Sequence, residues 1–416
     1  MKVFKFGGAS VKDARGVKNI VTVLNEVGYQ DLLIVVSAMG KMTNAFEKVS
    51  DAYFFKKEEL PVFIKEVRDY HYNIVNELFE NKEHKVFSEI ENLFIGLTGF
   101  MIRNKSTDYN FVYDQIVSIA ELISTKIVSC YLNESAIENT WFDVRECIKT
   151  NSDYRDAKVD WKLTEKSIVN KINPQILYIT QGFIAANEHG NTTTLGREGS
   201  DYSAGIFAYG LNADSLTIWK DVEGVLNADP RYFKETQLLE QISYTEAIEL
   251  AFYGASVIHP KTLQPLQNKG IPLLVKSFLN PNKKGTHVSD GKRLVPEIPC
   301  FIVKKNQLFL SISALDFSFV VEQNISEIFN LFHQYKMKVN LIQNSAISFS
   351  ICLEDNFSLI KNLLTELSYK YKVVCFKNVS LYTVRHFKNK NIKDLEQNNK
   401  VLLKQLTQET MQIVVQ

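Results

Sequence analysis

Leu32-Leu33-Ile34-Val35-Val36 is a run of five apolar residues with no polar break. A strand wetted on one side alternates; an unbroken run predicts a strand covered on both faces, as in a parallel sheet between helices. Residues 3–6 form a second short run, ending in Gly7-Gly8. Between the two, residues 13–27 place Val17, Ile20, Val21 and Leu24 on one helical face, so the opening reads β-α-β. Phe63, Val67, Ile74 and Leu78, then Ile90, Leu93, Phe94 and Leu97, predict long helices over 61–105, with another over 114–132. Strands are expected at 139–144, 176–184 and 215–219, with a Gly-rich loop and a helix from Ser200 before the last. Such alternation predicts an α/β domain built on a mainly parallel sheet.

The pattern breaks near residues 280–299, where three of the nine prolines (Pro281, Pro296, Pro299) join Gly285 and Gly291. This is read as a linker over 283–300 between a domain at 1–282 and a tail at 301–416. The tail predicts strands and helices at 308–312, 325–335, 339–343, 347–353, 357–368 and 371–376, which spell the ferredoxin-like β-α-β-β-α-β order. A shorter second copy would use 301–304, 380–386, a helix over 392–406 and a strand at 411–415.

Composition narrows the class. The chain has 416 residues, enough for two or three domains. Lys plus Arg is 48 against 47 acids, so the basic excess of a nucleic-acid binder is missing. The apolar run near the N-terminus is too short to span a bilayer, and no secretory pattern is recognised, so no membrane partner and a cytoplasmic location are expected. Five widely spaced cysteines give no metal-type spacing and no disulfide framework.

Three clusters carry chemistry. Neither P-loop spacing nor a strand followed by G-x-G-x-x-G is present. Instead Lys5-Phe6-Gly7-Gly8-Ala9-Ser10-Val11 closes the first strand: glycines let amides approach phosphate oxygens, and Lys5 adds a cation. Thr192-Thr193-Thr194-Leu195-Gly196-Arg197-Glu198-Gly199-Ser200-Asp201 leads into a helix start, where Arg197 could clamp a carboxylate or phosphate. Trp219-Lys220-Asp221-Val222-Glu223-Gly224-Val225, then Ala228-Asp229-Pro230-Arg231, puts acids at a strand's C-terminal edge, where ribose hydroxyls often sit. A bland alternative stands beside each: an exposed lysine at a turn, a capped loop, a turn with Asp caps. Glu121 lies in an otherwise apolar helix, and spacing alone slightly favours an exposed stripe for it.

Together these residues resemble the aspartate kinases of the amino-acid kinase family. Trp141-Phe142-Asp143-Val144-Arg145, Gln181-Gly182-Phe183-Ile184 and Tyr253-Gly254-Ala255-Ser256-Val257-Ile258-His259-Pro260 follow in the family's order. The resemblance implies an α/β/α sandwich followed by paired ACT regulatory modules, one full and one shortened. It implies transfer of the ATP γ-phosphoryl group to the side-chain carboxylate of L-aspartate, opening lysine, threonine and methionine synthesis. By the same resemblance Lys5, Gly7, Gly8 and Ser10 face the phosphates, and Asp201 organises the site by orienting Lys5. Ser37, Thr43, Glu121, Arg197 and Ser200 hold aspartate, with Glu121 on its ammonium and Arg197 on a carboxylate. Lys220, Asp221, Leu226, Arg231, Ser256 and Val257 belong to the nucleotide pocket. Mg²⁺ is expected on the ATP phosphates and waters, with no dedicated protein ligands. A homodimer through the ACT region and an amino-acid effector are implied partners, and no dehydrogenase domain is expected after the tail.

The departures fall on the nucleotide side: Ser256 replaces a common lysine, Lys220 a common Thr and Leu226 a common Tyr. Asn340 replaces an acidic residue that meets the effector's amino group in lysine-inhibited relatives. Lys276, ending the apolar strand 271–275, is the expected replacement cation for Ser256 and is grouped with Lys5 and Asp201 as catalytic. The competing functions are a weakened effector-binding sensor and a kinase for another small amino acid.

Overall fold

The computed structural model describes residues 1–255, 258–291, 293–316, 318–388, 396 and 399–416. They form two compact units, one from 1–225, 238–248 and 257–295, the other from 226–237, 249–256 and 296–416. Ser256 and Val257 lie outside the described residues.

The first unit is built on a nine-stranded sheet. Six neighbouring strands run parallel in the order Thr140–Phe142, Tyr178–Gln181, Leu32–Val36, Lys2–Phe6, Ser215–Lys220 and Leu273–Ser277. All five residues of Leu32–Val36 are buried, as the unbroken apolar run requires. Asp13 starts the Ala14–Val27 helix by accepting the Gly16 amide through its side chain, and Gly28 ends it at φ 83°, where a Cβ would be strained. That helix packs with Leu60–Leu78, Lys85–Arg103 and Tyr109–Glu134 on the face carrying Phe4, Phe6 and Trp219. The opposite face carries Gly199–Gly210, against which Trp161–Lys171 and Pro260–Lys269 pack. The arrangement is an α/β/α sandwich.

Tyr109–Glu134 is long and apolar enough to cross a membrane, yet 78% of its most apolar window is buried inside the unit. It is a core helix wrapped nearly all round, so it has no exposed stripe at position 121: Glu121 is 2% exposed. The spacing-based expectation for Glu121 is overturned because neighbours cover both of its flanks, which periodicity along one helix does not report.

Residues 283–300 are not a free linker. Thr286–Val288 pairs antiparallel with Leu273–Ser277, and Leu294–Val295 pairs antiparallel with Gln241–Ile242, extending the large sheet. Pro296 and Pro299 lie just beyond, where no ladder amide is needed.

The second unit has a six-stranded sheet in the order Lys338–Asn344, Ser348–Glu354, Cys300–Ala314, Tyr371–Arg385, Thr410–Val415 and Val401–Leu406. Cys300–Ala314 and Tyr371–Arg385 pair along almost their whole length, with register shifts between Lys304 and Phe309. Their 307–314 and 371–376 halves complete the β-α-β-β-α-β unit, with helices Glu322–Gln334 and Ile360–Ser368 packed on Leu310, Ile312 and Phe349. The other halves pair with each other and, through Tyr371–Arg385, with Thr410–Val415, giving the shortened second module. The helix expected over 392–406 is corrected at its end: Val401–Leu406 is a strand. Thr407 and Thr410 form a turn that folds it back on Thr410–Val415, so tertiary pairing overrides local spacing. Residues 389–395 lie outside the described residues.

Candidate active site

Alternation along Lys2–Phe6 sends Phe4 and Phe6 into one core and Lys5 to the other face of the sheet, 7% exposed. There Lys5 Nζ lies 2.5 Å from Asp201 Oδ1, in the first turn of Gly199–Gly210. Lys220 Nζ approaches Asp201 Oδ2 at 3.6 Å. Burial alone would raise the Asp201 pKa, but the charges of Lys5 and Lys220 overrule it and hold the carboxyl below its usual range. Lys5 and Asp201, both expected at the phosphate end of the site, are thus in direct contact.

Gly8 is required by space, whereas at Gly7 only the flexible end of a lysine would have to give way. A Cβ on Gly8 would meet the Ala38 and Gly40 carbonyl oxygens at 2.8 Å, and one on Gly7 would press on Lys5 Nζ at 3.3 Å. Gly182 is tighter still, since its Cβ would lie 2.5 Å from Ser200 Cβ.

Beside this pair lies a cavity of about 480 Å³, lined by Gly8, Ser37, Thr43, Glu121, Arg197, Ser200 and Asp201 among others. Glu121 accepts the Ala38 amide, while its Oε2 is buried without a partner among the described residues. Burial pushes its pKa up to about 8, restrained by that amide and by the Lys5 charge. An orphaned carboxyl oxygen facing a cavity suits an incoming ammonium. Arg197 is exposed at the opening and makes no ion pair among the described residues, so its guanidinium is available to a carboxylate. Anion and cation sites thus share one cavity, next to a buried lysine at the C-terminal edge of parallel strands.

Residues 1–277 match the amino acid kinase family. Lysine-sensitive aspartokinase 3 of Escherichia coli (strain K12) is 30% identical over 347 residues, 82% of this chain and 76% of that protein. The chain belongs to the amino acid kinase family, among its aspartokinases. The crystal structure of E. coli aspartokinase III in complex with lysine and aspartate superposes with a TM-score of 0.84 at 27% identity, covering 100% of this chain and 96% of that one. The same protein in complex with aspartate and ADP gives 0.81 at 27% identity, again covering 100% and 96%. The chain spans 36% of a similar bifunctional aspartokinase/homoserine dehydrogenase from Buchnera aphidicola.

Within this family member not every expected residue gathers at the cavity. Lys276 is the clearest correction. It is in register with Trp219, one position beyond the row Lys5, Ile218, Val275, so it points to the opposite face from Lys5. Its ammonium sits 5.4 Å from the Trp219 ring centroid, and burial lowers its pKa. A one-residue offset in a strand reverses the side, and the strand's end alone did not reveal it. Ser10 is also turned away: it is buried, with its hydroxyl 3.5 Å from the Trp219 carbonyl oxygen. Asp221 is exposed in the turn after Ser215–Lys220. Leu226 and Arg231 belong to the second unit, and the Arg231 guanidinium folds back onto Asp229 at 2.6 Å.

Arg155 and Glu198, which line the cavity, and Asp114 were not among the expected site residues. Arg155, with φ 71°, lines it with a guanidinium 4.2 Å from the Tyr113 ring centroid. Glu198, with φ 54°, precedes the Gly199–Gly210 helix in a left-handed conformation that costs a non-glycine residue about 1 kcal/mol. Asp114 is buried and ties the Arg155 loop to the strand Thr192–Thr194, accepting the Arg155 amide at 3.1 Å, the Thr194 amide at 2.9 Å and the Thr194 hydroxyl at 2.8 Å. Burial raises its pKa to about 6 against these hydrogen bonds. A buried acid beside Tyr113 in an apolar helix was the available clue.

Proposed function

We infer that this protein transfers the γ-phosphoryl group of ATP to the side-chain carboxylate of L-aspartate, giving ADP and 4-phospho-L-aspartate at the head of lysine, threonine and methionine synthesis. The observation that carries the reading is one cavity holding a Glu121 oxygen and an Arg197 guanidinium, neither paired among the described residues, beside the Lys5–Asp201 pair. The relatives crystallised with aspartate and with ADP support it.

The acceptor is already an anion, so the chain need not supply a base. The bond from Pγ to the ADP oxygen breaks as one to the carboxylate oxygen forms, and the protein's work is alignment and charge neutralisation. Glu121 takes the substrate ammonium, Arg197 its α-carboxylate, and Ser37, Thr43 and Ser200 fix its orientation by hydrogen bonds. Lys5, held by Asp201, and the Gly7 and Gly8 amides meet the phosphate oxygens. The donor set fits a Mg²⁺ that arrives on the nucleotide: the Asp201 oxygens already face ammonium groups, leaving phosphates and waters to hold the ion. Bound there, it would add neutralisation between the phosphates.

The second unit is read as an ACT-type regulatory region that pairs two copies of the chain and takes an amino-acid effector. Its support is the ferredoxin-like half and the edge strand Lys338–Asn344, which exposes Ile342. Sedimentation of the full chain tests the pairing; a monomer with and without lysine, threonine and methionine would overturn it.

A sensor with a decayed kinase is disfavoured by the intact charges of Lys5, Glu121, Arg197 and Asp201. Trapping the acyl phosphate with hydroxylamine while following ADP release tests the main reading. Turnover with L-aspartate is expected; turnover only with glutamate, N-acetylglutamate or carbamate would replace it.

A further inference from the structure

Asp201 is served by two lysines where one would balance it. No amide or hydroxyl donates to either of its oxygens among the described residues, although the side chain is fully buried. Lys5 takes Oδ1 at 2.5 Å; Lys220 stands off Oδ2 at 3.6 Å. The two come from adjacent parallel strands. Lys5 is in register with Ile218, so Lys220, two residues on, rises on the same face one step nearer the C-terminal edge. The Lys5 side chain is 8% exposed and that of Lys220 20%, so the outer ammonium keeps access to the edge where ligands of such sheets bind. Two ammoniums on one carboxylate gather positive charge there. The amide-rich start of Gly199–Gly210 adds to it.

We propose that Lys220 is a second phosphate-facing cation of the kinase site, held in place by Asp201 and neutralising charge on the transferring phosphoryl group. This rests on the kinase reading above. Asp201 thereby has two tasks: it locks Lys5 on one oxygen and limits the reach of Lys220 with the other. The geometry separates their roles. Lys5, in close contact and nearly enclosed, is fixed; Lys220, at the longer distance and partly open, stands nearer the edge where the nucleotide arrives. A lysine serving only as counterion would have no need of that exposure.

Lys220→Met, Lys220→Arg and the unchanged protein provide the test. Lys220→Met leaves the neutral Lys5–Asp201 pair, and its melting temperature reports whether the fold persists. At saturating ATP, Lys220→Met should lower kcat at least about tenfold while the KM for aspartate stays within about twofold. Lys220→Arg should recover a substantial part of kcat. By calorimetry without aspartate, Lys220→Met should weaken ADP binding about tenfold more than adenosine binding, since only ADP carries the charge. A kcat within about twofold of the unchanged protein, or equal losses for ADP and adenosine, would make Lys220 a structural counterion and overturn the proposal. Were the unchanged protein not to phosphorylate aspartate, the kinase reading would fail while the ADP and adenosine comparison still judged Lys220.

Discussion

Replacing Glu121 by Gln changes one charge and almost no volume, which makes it a clean probe of the acceptor site. Burial raises the Glu121 pKa to about 8, so at pH 7 the free carboxyl is ionised in roughly one molecule in ten. An ammonium ligand needs the ionised form, so aspartate binding must release that proton. Affinity should therefore rise about tenfold per pH unit between pH 6 and 7.5 and level off above about pH 8.5. The gain from pH 6 to 9 is on the order of a hundredfold. In Glu121→Gln the slope disappears, and at pH 9 binding should be weaker by about 1.5–3 kcal/mol, the value of a hydrogen bond to a charged group. Calorimetry in buffers of different ionisation enthalpy measures both affinity and proton release, which should be roughly 0.9 per aspartate at pH 7. The free protein gives a matching signal. Glu121 binds its proton more tightly folded than unfolded, so its contribution to stability is full below about pH 4.5 and is lost as pH rises toward 8. The Gln variant lacks that loss. Flat aspartate affinity from pH 6 to 9 without proton release, or an unchanged slope in the variant, would refute the assignment of Glu121 to the ammonium.

Arg197→Ala should raise the KM for aspartate about tenfold to a hundredfold while the KM for ATP moves less than about twofold, measured by coupled ADP release. Gly182→Ala forces a Cβ to within 2.5 Å of Ser200 Cβ; about 1–3 kcal/mol should be lost in denaturant melts, together with aspartate affinity. His71 is fully buried, its Nε2 has no partner among the described residues, and burial lowers its pKa to about 4 against the hydrogen bond to the Val67 carbonyl. The unfolded chain takes up that proton near pH 6.5, so stability falls as pH drops from 6.5 to 4, by about 3 kcal/mol. Urea midpoints at several pH values should show a smaller acid loss in His71→Leu.

The sequence by itself determined the class of the first unit and most of its chemistry. Apolar runs such as Leu32–Val36 can only be covered on both faces, and motifs such as Lys5-Phe6-Gly7-Gly8 lie where a strand meets a turn, so neighbours in sequence are neighbours in space. The same holds for Arg197, Ser200 and Asp201 around one helix start. Tertiary structure decided what depends on pairing between distant segments. Register with Trp219 put Lys276 on the face opposite Lys5, and the register of Lys5 with Ile218 put Lys220 on the same face as Lys5. Packing on every side buried Glu121. Backbone amides from a loop and a strand converged on Asp114, and strand partners claimed residues 286–288, 294–295 and 401–406. Local spacing reports which face of an element a residue occupies; only the neighbouring elements decide what that face meets.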